Sequence, residues 1–266
     1  MENDDKSVGQ ILSRRDALKL LGVGSAAFLA TYVVANHSNT AIAASSALAC
    51  VVRPELTIGP YFVDDQLNRS DIRSDPLEGN VSEGIPLTLK ITVFDVASNS
   101  CTPLKGAQVD IWHCDAFGIY SGVSERGFNT VGQQFLRGYQ LTDATGKVQF
   151  KTIYPGWYSG RAVHIHFMIR TTGADGKSYE FVSQFFFSDT LTDRVHAQKP
   201  YASKGRRNTR NASDNIFNNG GDQLLLALSG DNTNGYASAI TIGLDLTDAE
   251  VGASDTFGQP GGGSPS

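Results

Sequence analysis

Cysteine, methionine, tryptophan and histidine are all scarce in this sequence of 266 residues, which contains 3, 2, 2 and 5 of them respectively. The cysteines, at positions 50, 101 and 114, lack the paired Cys-x-x-Cys spacing that is typical of zinc sites. In an oxidising compartment they allow one disulfide and one free thiol. We expect Cys50 to pair with Cys101, and Cys114 to be a small buried hydrophobic residue beside Trp112.

The sequence also lacks a strong charge of one sign. The formal net charge is -5 and charged residues make up 18% of the chain, which argues against a general nucleic-acid-binding protein. One basic cluster, KGRRNTR at residues 204–210, is short and loop-like, so we interpret it as solvated surface. There is no repeat array or coiled-coil pattern, and the length suits one substantial domain with appendages.

The N-terminal 43 residues lack an apolar run long enough for a typical membrane span. Residues 20–35 are apolar but short, follow Arg14 and Arg15, and precede a small-residue Ala-Ile-Ala pattern at 41–43. This order predicts a twin-arginine-type signal over residues 1–43, a protein exported by that machinery, and membrane contact only through the signal. The usual phenylalanine position holds Ala17, and two alternatives stay open: an uncleaved anchor, or lipidation of Cys50 after cleavage.

Residues 44–248 are predicted to form one all-β domain. Residues 85–95 alternate between apolar and polar side chains, as in a half-buried strand. Similar segments occur at 106–114, 135–143, 147–155, 161–171 and 179–189, and the DATG and GADGK turns predict hairpins. We expect an antiparallel β-sandwich with an extended lead-in to about residue 84 and a flexible, disordered tail over residues 249–266.

Two histidines lie one residue apart in GRAVHIHFMIR, residues 160–170. On a strand, His164 and His166 would project from the same face, where they could bind a metal ion or form a partly exposed hydrogen-bonded pair. No carboxylate follows them at the spacing of a cupin site. A facial triad would have to borrow a carboxylate from elsewhere, and the candidates are Asp110, Asp115 and Asp143.

Tyrosines on predicted turns are better placed to complete a metal site. Tyr158 lies in the PGWYSG turn before the histidines, and Tyr120 follows the strand that ends at DIWHCDAFG. A phenolate oxygen is a hard ligand that suits Fe(III), and tyrosinate–iron ligation is known from haem catalase. The combination favours iron as the metal.

Four segments together resemble the intradiol ring-cleavage dioxygenases, the family that contains catechol 1,2- and protocatechuate 3,4-dioxygenases. They are TIGPYF (57–62), VDIWHCDAFGIYSG (109–122), FLRGYQLTDATGKVQFKTIYPGWYSGRAVHIHF (135–167) and SQFFFSD (183–189). The resemblance covers residues from about 50 to 190. It implies a β-sandwich and a non-haem Fe(III) dioxygenase that cleaves catechol-type rings between the hydroxyl-bearing carbons, using O2, to give cis,cis-muconate-type products.

The resemblance also implies a role for each matching residue. The iron ligands would be Tyr120, Tyr158, His164 and His166, and Tyr158 would be the tyrosine that leaves the metal when catechol binds. Catalytic residues would be Arg161 and Gln184 together with Tyr158, and Tyr61 and Trp157 would contact substrate.

The sequence departs from the family pattern in two places. It shows no long helical N-terminal segment of the kind that dimerises many catechol dioxygenases, so the oligomeric state stays open. The stretch between Tyr158 and His164 is shorter than in protocatechuate enzymes, which predicts a more open cavity. Export suggests substrates met outside the cytoplasm, such as catechols from plant phenolics. A non-catalytic secreted β-sandwich that binds phenolics or iron is the alternative.

Overall fold

The computed structural model describes residues 51–96 and 100–246. The predicted signal, Cys50 and the predicted tail lie outside these residues. The described part is mainly β and contains one α-helix, α1, at Asp189–His196. Its eleven strands are β1 Pro86–Asp95, β2 Thr102–Pro103, β3 Gln108–Trp112, β4 Ser124–Glu125, β5 Phe128–Asn129, β6 Arg137–Leu141, β7 Lys147–Ile153, β8 His164–Thr172, β9 Ser178–Phe186, β10 Ser229–Asp231 and β11 Gly235–Leu244.

The longer strands form two sheets. One has five strands in the order β10-β11-β1-β2, with β7 also paired to β1. The other has the order β6-β3-β8-β9 and is antiparallel throughout. The remaining strands, β4 and β5, form a small separate hairpin.

Strand alternation places one apolar face of each sheet in a shared hydrophobic core. In β1 the buried side chains are Leu87, Leu89, Ile91 and Val93, as the alternation predicts. In β8 the residues between and after the histidines, Ile165, Phe167 and Ile169, belong to the same buried cluster. Burying one face of β8 in the core leaves its other face, which carries His164 and His166, for the site.

Two features of the strand pairing differ from the sequence predictions. The β1–β11 pair is parallel, so the prediction of a wholly antiparallel arrangement is wrong for the five-stranded sheet. The DATG turn joins β6 to β7, but these strands pair with β3 and β1 in different sheets, so it is a crossing between sheets rather than a hairpin. The turn chemistry is as expected, since Gly146 has φ +74°. The GADGK turn does join a hairpin, that of β8 and β9.

Outside the sheets, the described residues form one α-helix, short 3-10 helices and extended segments. The predicted strand at 179–189 ends at Phe186, and α1 begins at Asp189. The lead-in from residue 51 makes only isolated bridges to other strands, in agreement with an extended segment.

Cys101 is disulfide-bonded and Cys114 is a buried free thiol. The pairing with Cys50 involves a residue outside the described ranges and stays a prediction.

None of the helices in residues 51–96 and 100–246 is long and apolar enough to cross a membrane.

Candidate metal centre

His164 and His166 converge on one point at the start of β8. Their Nε2 atoms are 3.0 Å apart and both rings are buried. Burial, reinforced by the positive charge of Arg161, holds the pKa of both imidazoles well below the ordinary value, so both rings are neutral. The Nδ1–H of His164 donates to the carbonyl of Ala162 at 2.6 Å, which leaves its Nε2 lone pair available.

The two predicted tyrosine ligands lie beside this pair. The Tyr158 Oη is 3.2 Å from the His164 Nε2, and the Tyr158 and Tyr120 rings are in edge contact, with centroids 5.7 Å apart. The Tyr120 ring is also 6.2 Å from that of His166. The Tyr120 hydroxyl is buried and has no hydrogen-bond partner among the described residues. Tyr120 and the three neighbouring residues Tyr158, His164 and His166 therefore form one continuous ring cluster.

This donor set fits a hard trivalent cation. The two neutral imidazoles can share one hydrogen bond between their Nε2 atoms, but the buried Tyr120 hydroxyl has no partner, which is unfavourable unless something satisfies it. Burial raises the pKa of both phenols, and a bound cation would act in the opposite direction and favour the phenolates. Two phenolate oxygens would balance two of the three positive charges of Fe(III), and the two imidazole nitrogens would bind it as neutral ligands. The four residues could hold that ion, with His164 and His166 on a rigid strand.

The predicted catalytic residues Arg161 and Gln184 contact each other next to the cluster. Strand pairing places Gln184 of β9 opposite His166, and its Oε1 accepts from the Arg161 Nη2 at 2.6 Å. The Gln184 Nε2 donates to the carbonyl of Thr57 at 2.8 Å, which fixes the orientation of the amide. The Arg161 Nη1 is 3.4 Å from the His164 Nε2. A cationic group thus faces the metal position.

The two predicted substrate-contacting residues have different surroundings. Tyr61 stacks on Tyr120, with centroids 4.4 Å apart, and meets Tyr158 edge-on at 6.0 Å. Trp157 packs against the main core, and its Nε1–H donates to the carbonyl of Gly205 at 3.2 Å. Among the described residues it makes no aromatic ring contact with the four predicted ligands. The structure thus places Tyr61 at the cluster, whereas Trp157, although next to Tyr158 in sequence, packs against the main core.

The carboxylates that a facial triad would borrow are occupied elsewhere. Asp110 pairs with Arg170 at 3.0 Å, while Asp115 and Asp143 each accept hydrogen bonds from backbone amides of their own turns. No group of three or more His, Cys, Asp and Glu side chains in residues 51–96 and 100–246 is arranged to hold a metal ion. The tyrosine-containing cluster is therefore the better candidate.

His113, which lies close to Tyr120 in sequence, is a buried structural residue. Its Nδ1–H donates to the carbonyl of Cys114 at 2.8 Å, and its Nε2 is 2.6 Å from the Thr152 hydroxyl. Burial lowers the pKa of His113 to about 4. Both ring nitrogens have partners within the protein, so neither is directed at the metal position.

Two residues that lie at the site, Gly59 and Asp214, were not identified from the sequence. Gly59 packs against His166: a Cβ at Gly59 would lie 3.0 Å from the His166 Cε1. Asp214 bonds to the Arg161 Nε at 3.0 Å. Gly59 lies inside the TIGPYF segment, so the resemblance of that segment to the family could have identified it. Asp214 carried no such signal, because it is 53 residues from Arg161 and follows an irregular loop.

Comparisons with known proteins agree with this geometry. The family model described as Dioxygenase matches residues 57–195, just over half of the chain. A solved intradiol ring-cleavage dioxygenase from Tetranychus urticae is 30% identical, with a TM-score of 0.63, over 74% of this chain and 95% of that one. The dioxygenase domain of a dioxygenase carbohydrate-binding protein fusion from the cellulolytic bacterium Streptomyces sp. SirexAA-E is 27% identical, with a TM-score of 0.51, over 73% and 99% of the two chains.

A mainly β fold that brings two histidines and two tyrosines together is the arrangement that the resemblance to intradiol dioxygenases predicts. The matched family model and the Tetranychus structure show that the chain belongs to the intradiol ring-cleavage dioxygenase family. The predicted family, and with it the predicted enzyme class, is confirmed.

The match to curated relatives is partial. The catechol 1,2-dioxygenase of Candida albicans is 27% identical over 169 residues, which are 53% of this chain and 50% of that protein. The chain spans about half the length of the curated relatives it matches.

Proposed function

We propose that this chain is an exported non-haem Fe(III) dioxygenase that cleaves catechol-type rings between the two hydroxyl-bearing carbons to give cis,cis-muconate-type diacids. The two-sheet scaffold would be a β-sandwich. One observation carries the proposal: His164 and His166 converge with Tyr120 and Tyr158 at a buried point where no carboxylate completes the set. Fe(III), when bound, supplies the Lewis-acid and redox chemistry that makes a catecholate reactive towards O2.

The protein residues divide the remaining work among them. His164 and His166 would hold the metal from the β8 strand. A catechol gives up two protons when it binds as a dianion, and the Tyr158 Oη is positioned to take one of them. Arg161 lies close enough to stabilise negative charge on the bound ring, since its Nη1 is 3.4 Å from the His164 Nε2. Tyr61 offers an aromatic face beside both tyrosines.

The first test is the colour and turnover of the purified protein. Tyrosinate-to-Fe(III) charge transfer should give a burgundy visible band, and catechol under O2 should yield the ultraviolet absorbance of a muconate. A fully iron-loaded but colourless protein would contradict the proposed ligand set. A coloured protein whose band shifts with catechol, but which forms no muconate, would favour the alternative of a non-catalytic binding module.

Variants test the individual ligands. His166→Ala should lose iron, and Tyr158→Phe should change the visible band and reduce turnover, since each removes one donor atom from the set. Tyr179→Phe is the matched control, because the Tyr179 hydroxyl donates to the exposed Asp175 and lies in β9 at a distance from the metal position. Unimpaired activity in either ligand variant would refute the role assigned to that residue.

Export is the part of the proposal that rests on the N-terminal sequence. Arg14 and Arg15 precede the apolar run that a twin-arginine signal requires. Replacing both with lysine should retain the protein in the cytoplasm, as measured by fractionation of expressing cells. Equal secretion of the parent and the Lys–Lys variant would contradict the assigned export route.

The similar dioxygenase domain that is fused to a carbohydrate-binding protein in a cellulolytic bacterium supports the proposal that the substrates are catechols linked to plant material.

A further inference from the structure

Residues 204–214, which lie beyond the family-matched region, contact the loop of residues 154–163 that joins β7 to β8 and carries Tyr158. The matched region ends at residue 195, and residues 204–214 follow it. This segment contacts the Tyr158 loop at three points. Gly205 accepts a hydrogen bond from the Trp157 indole, Asn208 donates to Ser159 at 2.8 Å, and Asp214 bonds to Arg161. The segment therefore contacts residues on both sides of Tyr158.

Asp214 makes the strongest of these contacts. Its side chain is 1% exposed and pairs with the Arg161 guanidinium, which is 16% exposed. The Oδ2 of Asp214 accepts both the Arg161 Nε–H at 3.0 Å and the Ala162 amide at 2.7 Å. The other oxygen, Oδ1, accepts the backbone amides of Ile216 and Phe217 at 2.7 and 3.2 Å. The two oxygens thus serve different partners: Oδ2 the active-site loop, and Oδ1 its own turn.

The Arg161 guanidinium is fixed by three groups on different nitrogens. Its Nε donates to Asp214, its Nη2 donates to Gln184, and its Nη1 lies beside the His164 ring. Because the side chain is partly exposed, removing the Asp214 contact would let the guanidinium turn towards solvent about its remaining bond to Gln184. A charged hydrogen bond at a buried site is among the stronger restraints on a side chain.

From this arrangement we propose that Asp214 is a positioning residue, which aims the Arg161 guanidinium at the bound ring and acts on turnover through Arg161. The inference rests on the proposed function for its kinetic consequence, but its geometric part stands independently. Asp214 itself does not touch the predicted metal ligands, so it is not assigned a catalytic role.

The substitution Asp214→Asn is suited to the test because it separates the two roles of the carboxylate. With its carbonyl oxygen at the Oδ1 position, asparagine keeps the acceptor for Ile216 and Phe217. Its amide nitrogen at the Oδ2 position cannot accept from Arg161 or Ala162. We expect kcat to fall by about tenfold or more, the loss expected for a charged hydrogen bond, while iron content and the visible band stay unchanged. Asn208→Ala, which removes another contact of the same segment, should leave kcat within about twofold of the parent.

A double-mutant cycle distinguishes positioning from a general structural effect. If Asp214 acts through Arg161, the Arg161→Ala and Asp214→Asn changes combined should lower kcat no further than Arg161→Ala alone. Multiplicative losses in the double variant would overturn the proposal. Loss of iron in Asp214→Asn would overturn it as well, since the residue would then support the metal site itself.

A measurement on the iron-free protein tests the geometry without activity. The Arg161 Nε–H should give an NMR signal protected from solvent exchange in the parent and in Asn208→Ala, and that protection should be lost in Asp214→Asn. A rapidly exchanging signal in the parent would refute the positioning contact. A parent with a protected Nε–H but no ring cleavage would refute the proposed function and leave the contact in place, so the two failures are distinguishable.

Discussion

Replacing Gly59 with alanine should weaken iron binding by moving His166. Gly59 has φ +68°, and a Cβ built there would lie 3.0 Å from the His166 Cε1 and 3.6 Å from its Nε2. That separation is a few tenths of an ångström too short for an unstrained contact. The ring has little freedom to yield, because it also stacks on Trp112 with the two planes 5° apart.

The expected magnitude has two parts. A non-glycine residue in the left-handed region costs about 1–2 kcal/mol, which corresponds to roughly 2–8 °C in Tm for a domain of this size. Mutation of a residue that orients a metal ligand typically reduces metal affinity by about 10- to 100-fold. Gly176→Ala is the matched control, since Gly176 has φ +80° with no atom within 4 Å of the Cβ position.

The assay compares both variants with the parent. Urea unfolding of the iron-free proteins should show a loss of stability in both variants, because the backbone penalty and the effect of alanine on the unfolded chain are shared, and a larger loss in Gly59→Ala, because only that variant also crowds His166. Competition with a chelator should show weaker iron binding only in Gly59→Ala. Equal iron affinity in the two variants would refute the inference that Gly59 is required to seat His166.

Three further predictions concern the buried groups. The Cys114 thiol, whose pKa is raised by burial, should not react with an alkylating reagent until the protein unfolds; rapid labelling of native protein would contradict this. Burial lowers the pKa of His113 to about 4, so its contribution to the free energy of unfolding should be fully present above pH 6.5 and should fall on acidification, by about 2 kcal/mol at pH 5. Equal urea midpoints at pH 7 and pH 5 would contradict this. Removing iron should lower Tm and adding Fe(III) should restore it, because the metal binds only the folded state, and a Tm that does not respond to iron would argue against a structured metal centre.

Local patterns predicted the strands well and their partners poorly. Alternation identified the buried face of β1, because every second residue of a half-buried strand must be apolar. It could not distinguish a hairpin from a crossing at the DATG turn, since the same turn residues serve both. The parallel β1–β11 pair joins strands about 150 residues apart, and nothing local in either strand records that choice.

At the site, too, features that follow from the local sequence pattern were predictable, and features that depend on contacts between distant segments were not. The common face of His164 and His166 was predictable because it follows from the period of two in a strand. Gln184 was predicted only through the family resemblance, and its register opposite His166 is known from the structure. Asp214 was not predictable, because a buried aspartate on an irregular segment has the same local sequence as an exposed one. Its importance depends on the three-dimensional approach of the segment to Arg161.

In the proposed metal centre we expect Tyr158, rather than Tyr120, to be the phenol that moves when a catechol binds. The Tyr120 backbone carbonyl accepts from the Thr130 hydroxyl at 2.6 Å, and its ring is buried in a stack with Tyr61. Tyr158 is only partly buried and is followed directly by exposed Ser159 and Gly160, with open space beside Gly160.

A movable ligand must leave without dismantling the metal centre, and Tyr158 meets that requirement because the two histidines and Tyr120 are held by other elements. Tyr120→Phe should therefore abolish stable iron loading. Tyr158→Phe should retain iron, and resonance Raman spectra should show one type of tyrosinate that is unchanged by anaerobic catechol. If catechol instead displaced the tyrosinate that remains in Tyr158→Phe, Tyr120 would be the mobile ligand and the assignment of the two roles would be reversed.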